Sequence, residues 1–378
     1  MQLFFLSMCT QIAVASFAPY LQIVFRNKGY SHSLCGVLIA LCQLSAIVVP
    51  MVISSLSDKK GRTKPFLILS ALLAILFSFP YILSGNIALV ALSAFLMNGF
   101  FWCMNPLADG FINRSLKGDS SRYGTIRAMG TFAYVSTLVI FGILGWPRED
   151  ENSSILKCMM VSLPLLFLVC ASLKEEVREK GKESTFSLSV FPRRFYFFLI
   201  VVAFTRLGQA VVEKLLSAYM TENLGLGNRF ILFIALGAAF EVFCMVLFGR
   251  LKKKGVMTSL TILRISAVAL VIRLLLYLIP GILPFILAQT LHGLTFGALH
   301  LSATSYIADN VDSSHYDLGM TMYWSLATNL PELIGALFGG FIIESFGYSM
   351  LFLSYSVFPL IGFVLSYVWK GILEGKER

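Results

Sequence analysis

Seven ionisable residues lie inside long apolar stretches of this 378-residue sequence: Asp109, Arg127, Glu213, Glu241, Arg273, His292 and Glu332. A charge at the centre of a lipid bilayer costs about 2.5–3.5 kcal/mol on insertion scales, so such residues face a protein interior or a wetted cavity. There they bind solutes or carry protons.

Two constellations stand out. Asn98, Trp102, Asn105 and Asp109 are spaced four, three and four apart and share one stripe of a helix. Arg127, Thr131 and Tyr134 repeat the pattern at i, i+4 and i+7 on the next apolar segment. Two antiparallel helices joined by the loop 113–123 would bring Asp109 against Arg127. That pair either fixes the helices, contacts a substrate, or does both. Farther along, Glu241, Arg273 and His292 fall on three successive segments. Apolar surroundings raise a carboxylate's proton affinity and a nearby arginine lowers it, so a glutamate whose arginine neighbour moves can load and release a proton. Around them stand Arg206, Gln209, Arg264, Gln289, Thr295 and His300. Glu213 and Glu332 are open between function and structural pairing, with Lys214 placed to neutralise Glu213 or to snorkel.

The elements that must position these residues are membrane helices. About 20 mostly apolar residues cross a bilayer as a helix. Twelve such segments are predicted, at 3–25, 33–56, 65–84, 87–112, 124–146, 154–173, 195–220, 229–250, 257–279, 283–307, 318–343 and 348–369. The polar stretch 174–194 reads as a cytoplasmic linker between an N-terminal six-helix bundle (1–173) and a C-terminal one (195–378). A basic turn follows the second segment (Ser57-Asp58-Lys59-Lys60-Gly61-Arg62), and another follows the eighth (Arg250-Leu251-Lys252-Lys253-Lys254). That repetition points to an internal duplication, as in transporters built from two related bundles. Pro19, Pro50, Pro106, Pro164, Pro331 and Pro359 fall within or near helices, where they kink them or free backbone carbonyls, and Gly335, Gly339 and Gly340 permit close helix approach.

Composition agrees. The chain is 57% hydrophobic and only 13% charged, with a mean hydropathy of +0.80. A soluble protein carries about 25% charged residues, so the bilayer is the solvent. The net charge of +10 marks topology rather than nucleic-acid binding, because cytoplasmic loops of membrane proteins are enriched in Lys and Arg. Counting those residues puts both termini in the cytoplasm, as a multi-pass protein of the cell inner membrane. The acidic loop after the tenth segment (Asp309, Asp312, Asp317) departs from that pattern. The seven cysteines form no CxxC pair and no Cys/His set suited to zinc. A GxxxxGK[ST] loop, an HExxH motif and a Ser/His/Asp motif are all missing from the sequence. The expectation is therefore neither an ATP-driven pump nor an enzyme, with no metal.

With these residues on the page, the chain resembles the major facilitator superfamily over nearly its whole length. The branch is that of lactose permease-like oligosaccharide/H⁺ symporters and phenylpropionate permease-like proteins. The resemblance rests on the loop Ser57-Asp58-Lys59-Lys60-Gly61-Arg62, on Pro106-Leu107-Ala108-Asp109, and on Tyr123-Gly124-Thr125-Ile126-Arg127-Ala128-Met129-Gly130-Thr131-Phe132. It implies that Asp109 and Arg127 bind substrate and that Tyr134 stands where lactose permease stacks a tryptophan on its sugar. It also implies that Glu241, Arg273 and His292 take part in binding and proton coupling, and that Asp58 and Arg62 gate the cytoplasmic side. Thr295 and Gln289 replace an acid and a lysine of lactose permease. The tract Gln289 to His300, with its two histidines, is closer to the phenylpropionate permease-like group.

The fold expected is all-α integral membrane, with twelve transmembrane helices in two pseudo-symmetric six-helix bundles. The expected function is H⁺-coupled symport of a small polar organic solute, a saccharide or an aromatic carboxylate, by alternating access. Substrate contacts are assigned to Asn105, Asp109, Arg127, Thr131, Tyr134 and His292, and proton coupling to Glu241, Arg273 and His292. The second helix lacks the internal Asp of sodium-coupled melibiose-type carriers, so H⁺ is the coupling ion, with no other cofactor. The partners expected are the substrate and the lipid bilayer, with no nucleic acid and a monomeric state. The alternatives are a nucleoside/H⁺ symporter or a non-transport membrane protein such as a lipid scramblase or a sensor.

Overall fold

The computed structural model describes residues 1–116, 120–174, 191–312 and 316–375. Most of the expected linker, with its charges at 175–183, lies outside these residues, as do Lys117 and the side chains of Asp58, Arg114 and Asp317.

The described chain is helical throughout. In hydrocarbon no water is available to backbone N–H and C=O groups, and a helix satisfies them within one segment. Eleven stretches are long and apolar enough to span a bilayer. They are α1 (Gln2–Asn27), α2 (His32–Ser57), α3 (Lys64–Leu83), α4 (Ile87–Ile112), α5 (Thr125–Leu144), α6 (Asn152–Ser172), α7 (Arg193–Lys214), α8 (Gly227–Lys253), α9 (Ser259–Leu276), α10 (Ile282–Asn310) and the double-length Gly319–Val368. The last is two helices joined at Gly347, whose φ of 77° and ψ of 175° lie outside helical geometry. A residue with a Cβ is strained there. Separating α11 (319–346) from α12 (348–368) gives the twelve expected segments.

Two compact units divide the chain. Unit 1 comprises Met1–Tyr30, Leu41–Ser184 and Gly225–Leu232; unit 2 comprises Ser31–Ala40, Thr185–Leu224 and Phe233–Arg378. In unit 1, Phe17 meets Tyr81 and Phe101 edge to face, at centroid distances of 6.4 and 5.1 Å. In unit 2, Phe195, Phe198, Leu263, Leu299, Tyr306 and Tyr323 form one buried cluster, with Phe198 stacked on Tyr306 at 3.9 Å. These apolar contacts pack α4 in unit 1 and α7 and α10 in unit 2, the helices that carry several of the polar residues.

The small residues act as the spacing predicts. A Cβ added at Gly335 of α11 would lie 2.4 Å from the Ala210 Cβ of α7. Asp309, the first of the acidic residues at the end of α10, has a basic partner. Lys252 Nζ donates to Asp309 Oδ2 at 2.7 Å, so that carboxylate offsets the basic run after α8.

Candidate functional site

In unit 1, α4 and α5 bring Asp109 and Arg127 together as an ion pair through Arg127 Nη1 and Asp109 Oδ2. The pair is not sealed in the core: the Arg127 side chain is 51% exposed and that of Asp109 34%. Asn105 stands half-buried one turn before Asp109, and Pro106 between them removes a backbone N–H from α4. Thr131 Oγ1 donates to the Arg127 carbonyl at 3.5 Å, and Tyr134 is half-buried one turn on.

The other half of the α4 stripe does different work. Asn98 is fully buried, and its Nδ2 donates to the Cys42 carbonyl at 2.6 Å and to Ser45 Oγ at 3.2 Å. Its Oδ1 accepts from Trp102 Nε1 at 3.1 Å. Asn98 therefore ties α4 to α2, and Trp102 is held to it within α4. The basic turn after α2 is held by Ser57, whose hydroxyl donates to the Arg62 carbonyl at 2.9 Å, while the Arg62 side chain is exposed.

In unit 2, Glu241, His292 and Arg273 form a chain. His292 Nε2 is 3.8 Å from Glu241 Oε2, and His292 Nδ1 is 2.9 Å from Arg273 Nη1. Arg273 is 1% exposed. Its Nη1 also donates to Thr295 Oγ1 at 2.9 Å, its Nε to Tyr277 Oη at 3.0 Å and its Nη2 to Gln289 Oε1 at 3.3 Å. Gln289 Nε2 closes the ring on Tyr277 Oη at 3.1 Å. Thr295 and Gln289, the two departures from the lactose permease pattern, thus become acceptors for the same guanidinium.

Local backbone structure makes this approach possible. Helix α10 changes from α- to π-helix over Gly293–Ala298; such insertions re-aim side chains and are common at functional sites. A Cβ at Gly293 would lie 2.2 Å from the Phe240 carbonyl oxygen, and one at Gly297 2.9 Å from that of Glu241. The two glycines let α10 lie directly on α8, which sets His292 beside Glu241.

The chemistry of the partners fixes the imidazole. A guanidinium can only donate, so His292 Nδ1 accepts and the ring is neutral, with its proton on Nε2, directed at Glu241. A second proton on Nδ1 would face Arg273 donor to donor.

Sequence reasoning noted Arg206 but gave it no role, and misjudged Lys214. Lys214 pairs with Glu332, Nζ to Oε2 at 3.0 Å, rather than with its neighbour Glu213. Glu213 accepts instead from Gln209 Nε2 at 2.9 Å. Helical geometry held the signal: adjacent residues point about 100° apart. Arg206 is fully buried and bonded to Tyr323. Arg264 is held by Ser366 and lies over Tyr367 at 3.9 Å, a packing role.

Comparison with known proteins gives the family: residues 3–354 match the MFS_1-like family. The chain belongs to that family. A protein of Escherichia coli (strain K12) described as a probable 3-phenylpropionic acid transporter is 24% identical over 339 residues, covering 88% of each chain. An uncharacterized protein of Archaeoglobus fulgidus is 27% identical over 173 residues, 45% of this chain and 78% of that one. Among solved structures, a variant of the nucleoside transporter NupG superposes with a TM-score of 0.82 at 14% identity, covering 98% of both chains. A POT family transporter in complex with a thioalcohol-conjugated peptide reaches 0.79 at 12% identity, covering 98% of this chain and 96% of that one. These likenesses establish the major facilitator fold. The MFS_1-like chain is a multi-pass membrane transporter and not an enzyme.

Proposed function

We propose that this transporter is an H⁺-coupled symporter of an aromatic monocarboxylate. The observation that carries the coupling is the Glu241–His292–Arg273 chain: a carboxylate beside a neutral imidazole whose second nitrogen is occupied by a buried arginine. The relative matched over 88% of both chains supports the substrate class. The half-exposed Asp109–Arg127 pair, with Asn105, Thr131 and Tyr134 beside it, offers polar and aromatic contacts to the substrate.

Charge balance supports coupling as well. Lys214 is paired with Glu332, and Arg273 is linked to Glu241 through His292. An added carboxylate unbalances that set, and a proton on Glu241 restores it. Uncompensated charge in low dielectric is costly, so anion and proton enter together more cheaply than either alone. On this reading the protein works as a monomer in the cytoplasmic membrane with both termini inside, as the Lys/Arg distribution favours, and Asp58 and Arg62 govern the cytoplasmic gate.

Purified protein in liposomes loaded with a pH dye tests the proposal against 3-phenylpropionate, lactose and uridine. Lumenal acidification is expected with the aromatic acid alone. Glu241→Gln should abolish accumulation driven by a pH gradient while keeping exchange of labelled for unlabelled substrate. Uptake of the acid by a sealed, proton-independent route would refute the coupling, and uptake of lactose or uridine alone would refute the substrate class.

A further inference from the structure

A buried cation of unit 2 takes no part in the Glu241–His292–Arg273 chain. Arg206 of α7 is 0% exposed. Its Nη2 donates to Tyr323 Oη at 2.7 Å, and its guanidinium carbon lies 4.7 Å from the centroid of Phe296. Its Nε and Nη1 are buried with no hydrogen-bond partner among the described residues. Nearby acids are engaged elsewhere, Glu213 by Gln209 at 2.9 Å and Glu332 by Lys214 at 3.0 Å.

The contacts Arg206 does make orient it without neutralising it. Tyr323 Oη is 3.1 Å from His300 Nδ1. The tyrosine oxygen accepts from Arg206, and its own proton stays available for a second bond. A hydroxyl partner supplies no formal counter-charge to the guanidinium. Phe296, the ring over Arg206, belongs to an aromatic run in which His292, Phe296 and His300 stack in sequence at 5.6 and 6.3 Å and Trp324 lies 5.4 Å from His300. A purely structural buried arginine has its donors satisfied, since each unmade bond to a charged group costs more than one to a neutral group. Here two donors lack such bonds, and the guanidinium carbon lies 4.7 Å from the Phe296 ring centroid and 6.0 Å from that of Tyr323.

We propose that Arg206 is the carboxylate anchor of unit 2, receiving the anionic end of a planar-ringed monocarboxylate through Nε and Nη1 while the rings around it accommodate the ring. The inference rests on the aromatic-carboxylate reading above and adds the residue that makes the protein selective for acid over neutral isostere. It separates the roles of the buried arginines: Arg273 holds the imidazole of the proton chain, and Arg206 meets the substrate.

The test is equilibrium binding to the purified full-length protein of 3-phenylpropionate and of 3-phenylpropanamide, its uncharged isostere. Wild type should prefer the acid by about tenfold or more, as expected for a buried charge-assisted bond. Arg206→Gln should lose that preference by weakening the acid alone. Arg206→Lys should keep part of it. Tyr323→Phe leaves the cation in place but frees its orientation, and should weaken the acid severalfold with little change for the amide. This variant and Arg206→Lys decide the matter if the Gln variant fails to fold. Acid binding unchanged in the Arg206 variants, or equal binding of acid and amide by wild type, overturns the anchor and leaves the transport reading standing. Failure of wild type to bind the acid at all overturns both.

Discussion

Arg127 and Arg273 are both embedded arginines, yet their surroundings predict opposite consequences on removal. Arg127 is half exposed and paired with one partly exposed carboxylate. Pairs of that kind contribute about 0–1 kcal/mol. Arg127→Ala should therefore leave the thermal midpoint of the purified protein nearly unchanged while abolishing uptake; normal uptake would remove it from the binding site. Arg273 is sealed, and it satisfies Tyr277, Thr295, Gln289 and His292 at once. Leaving buried acceptors unsatisfied costs about 1–3 kcal/mol each. Arg273→Ala should lower the thermal midpoint by several degrees as well as stopping transport. A variant that lost transport with no change in midpoint would mean that the ring around Arg273 re-forms without it. The identity of these residues was legible in the sequence, but their difference was not, because burial and partners depend on neighbours far away in the chain.

At the scale of elements, close approach of α8 and α10 decides the proton chain. Gly293→Ala would place a methyl carbon 2.2 Å from the Phe240 carbonyl oxygen, a distance no packing tolerates, so the helices must part. The expected result is loss of proton-coupled accumulation together with a lower thermal midpoint; an unaffected variant would show that α10 can shift without disturbing His292. A second element-level device lies at the end of α3. Lys28 Nζ donates to the carbonyls of Ile82 and Ser84 at 2.7 and 2.8 Å, capping the last turn as a cation should. Burial holds the Lys28 ammonium below the usual lysine range. A cation whose folded-state pKa is lowered binds its proton less readily than in the unfolded chain. Its protonation therefore opposes folding, and the term favours the fold as pH rises past the lowered value. Lys28→Met, which removes the caps and this titration together, should reduce stability by about 1–2 kcal/mol near neutral pH, read as a lower midpoint in a thermal-shift series. Helix existence was readable from apolar length. The π segment of α10 was not, because the sequence Gly293 to Ala298 carries no local mark that separates a π turn from an α turn.

For the whole molecule, the distribution of Lys and Arg makes a prediction that chemical labelling can check. All seven native cysteines are buried, so a cysteine introduced in a loop becomes the reactive one. Arg148→Cys should react with a membrane-impermeant maleimide added to intact cells, and Lys253→Cys only after permeabilisation; the reverse pattern would invert the topology. The sequence by itself determined that the chain is an all-helical membrane protein with twelve segments, because bilayer thickness and backbone hydrogen bonding leave few alternatives to long apolar helices. It also singled out Asp109, Arg127, Glu241, Arg273 and His292, because the cost of an embedded charge makes such residues conspicuous in any apolar run. Only the tertiary structure decided which charges meet. It joined Lys214 to Glu332 across two helices, turned Thr295 and Gln289 into partners of Arg273, assigned Asn98 to packing, and left Arg206 buried with two donors unclaimed. Those outcomes depend on helix rotation and on approach within a few ångströms, set by glycines and by packing against distant segments, and no periodicity along the chain encodes them.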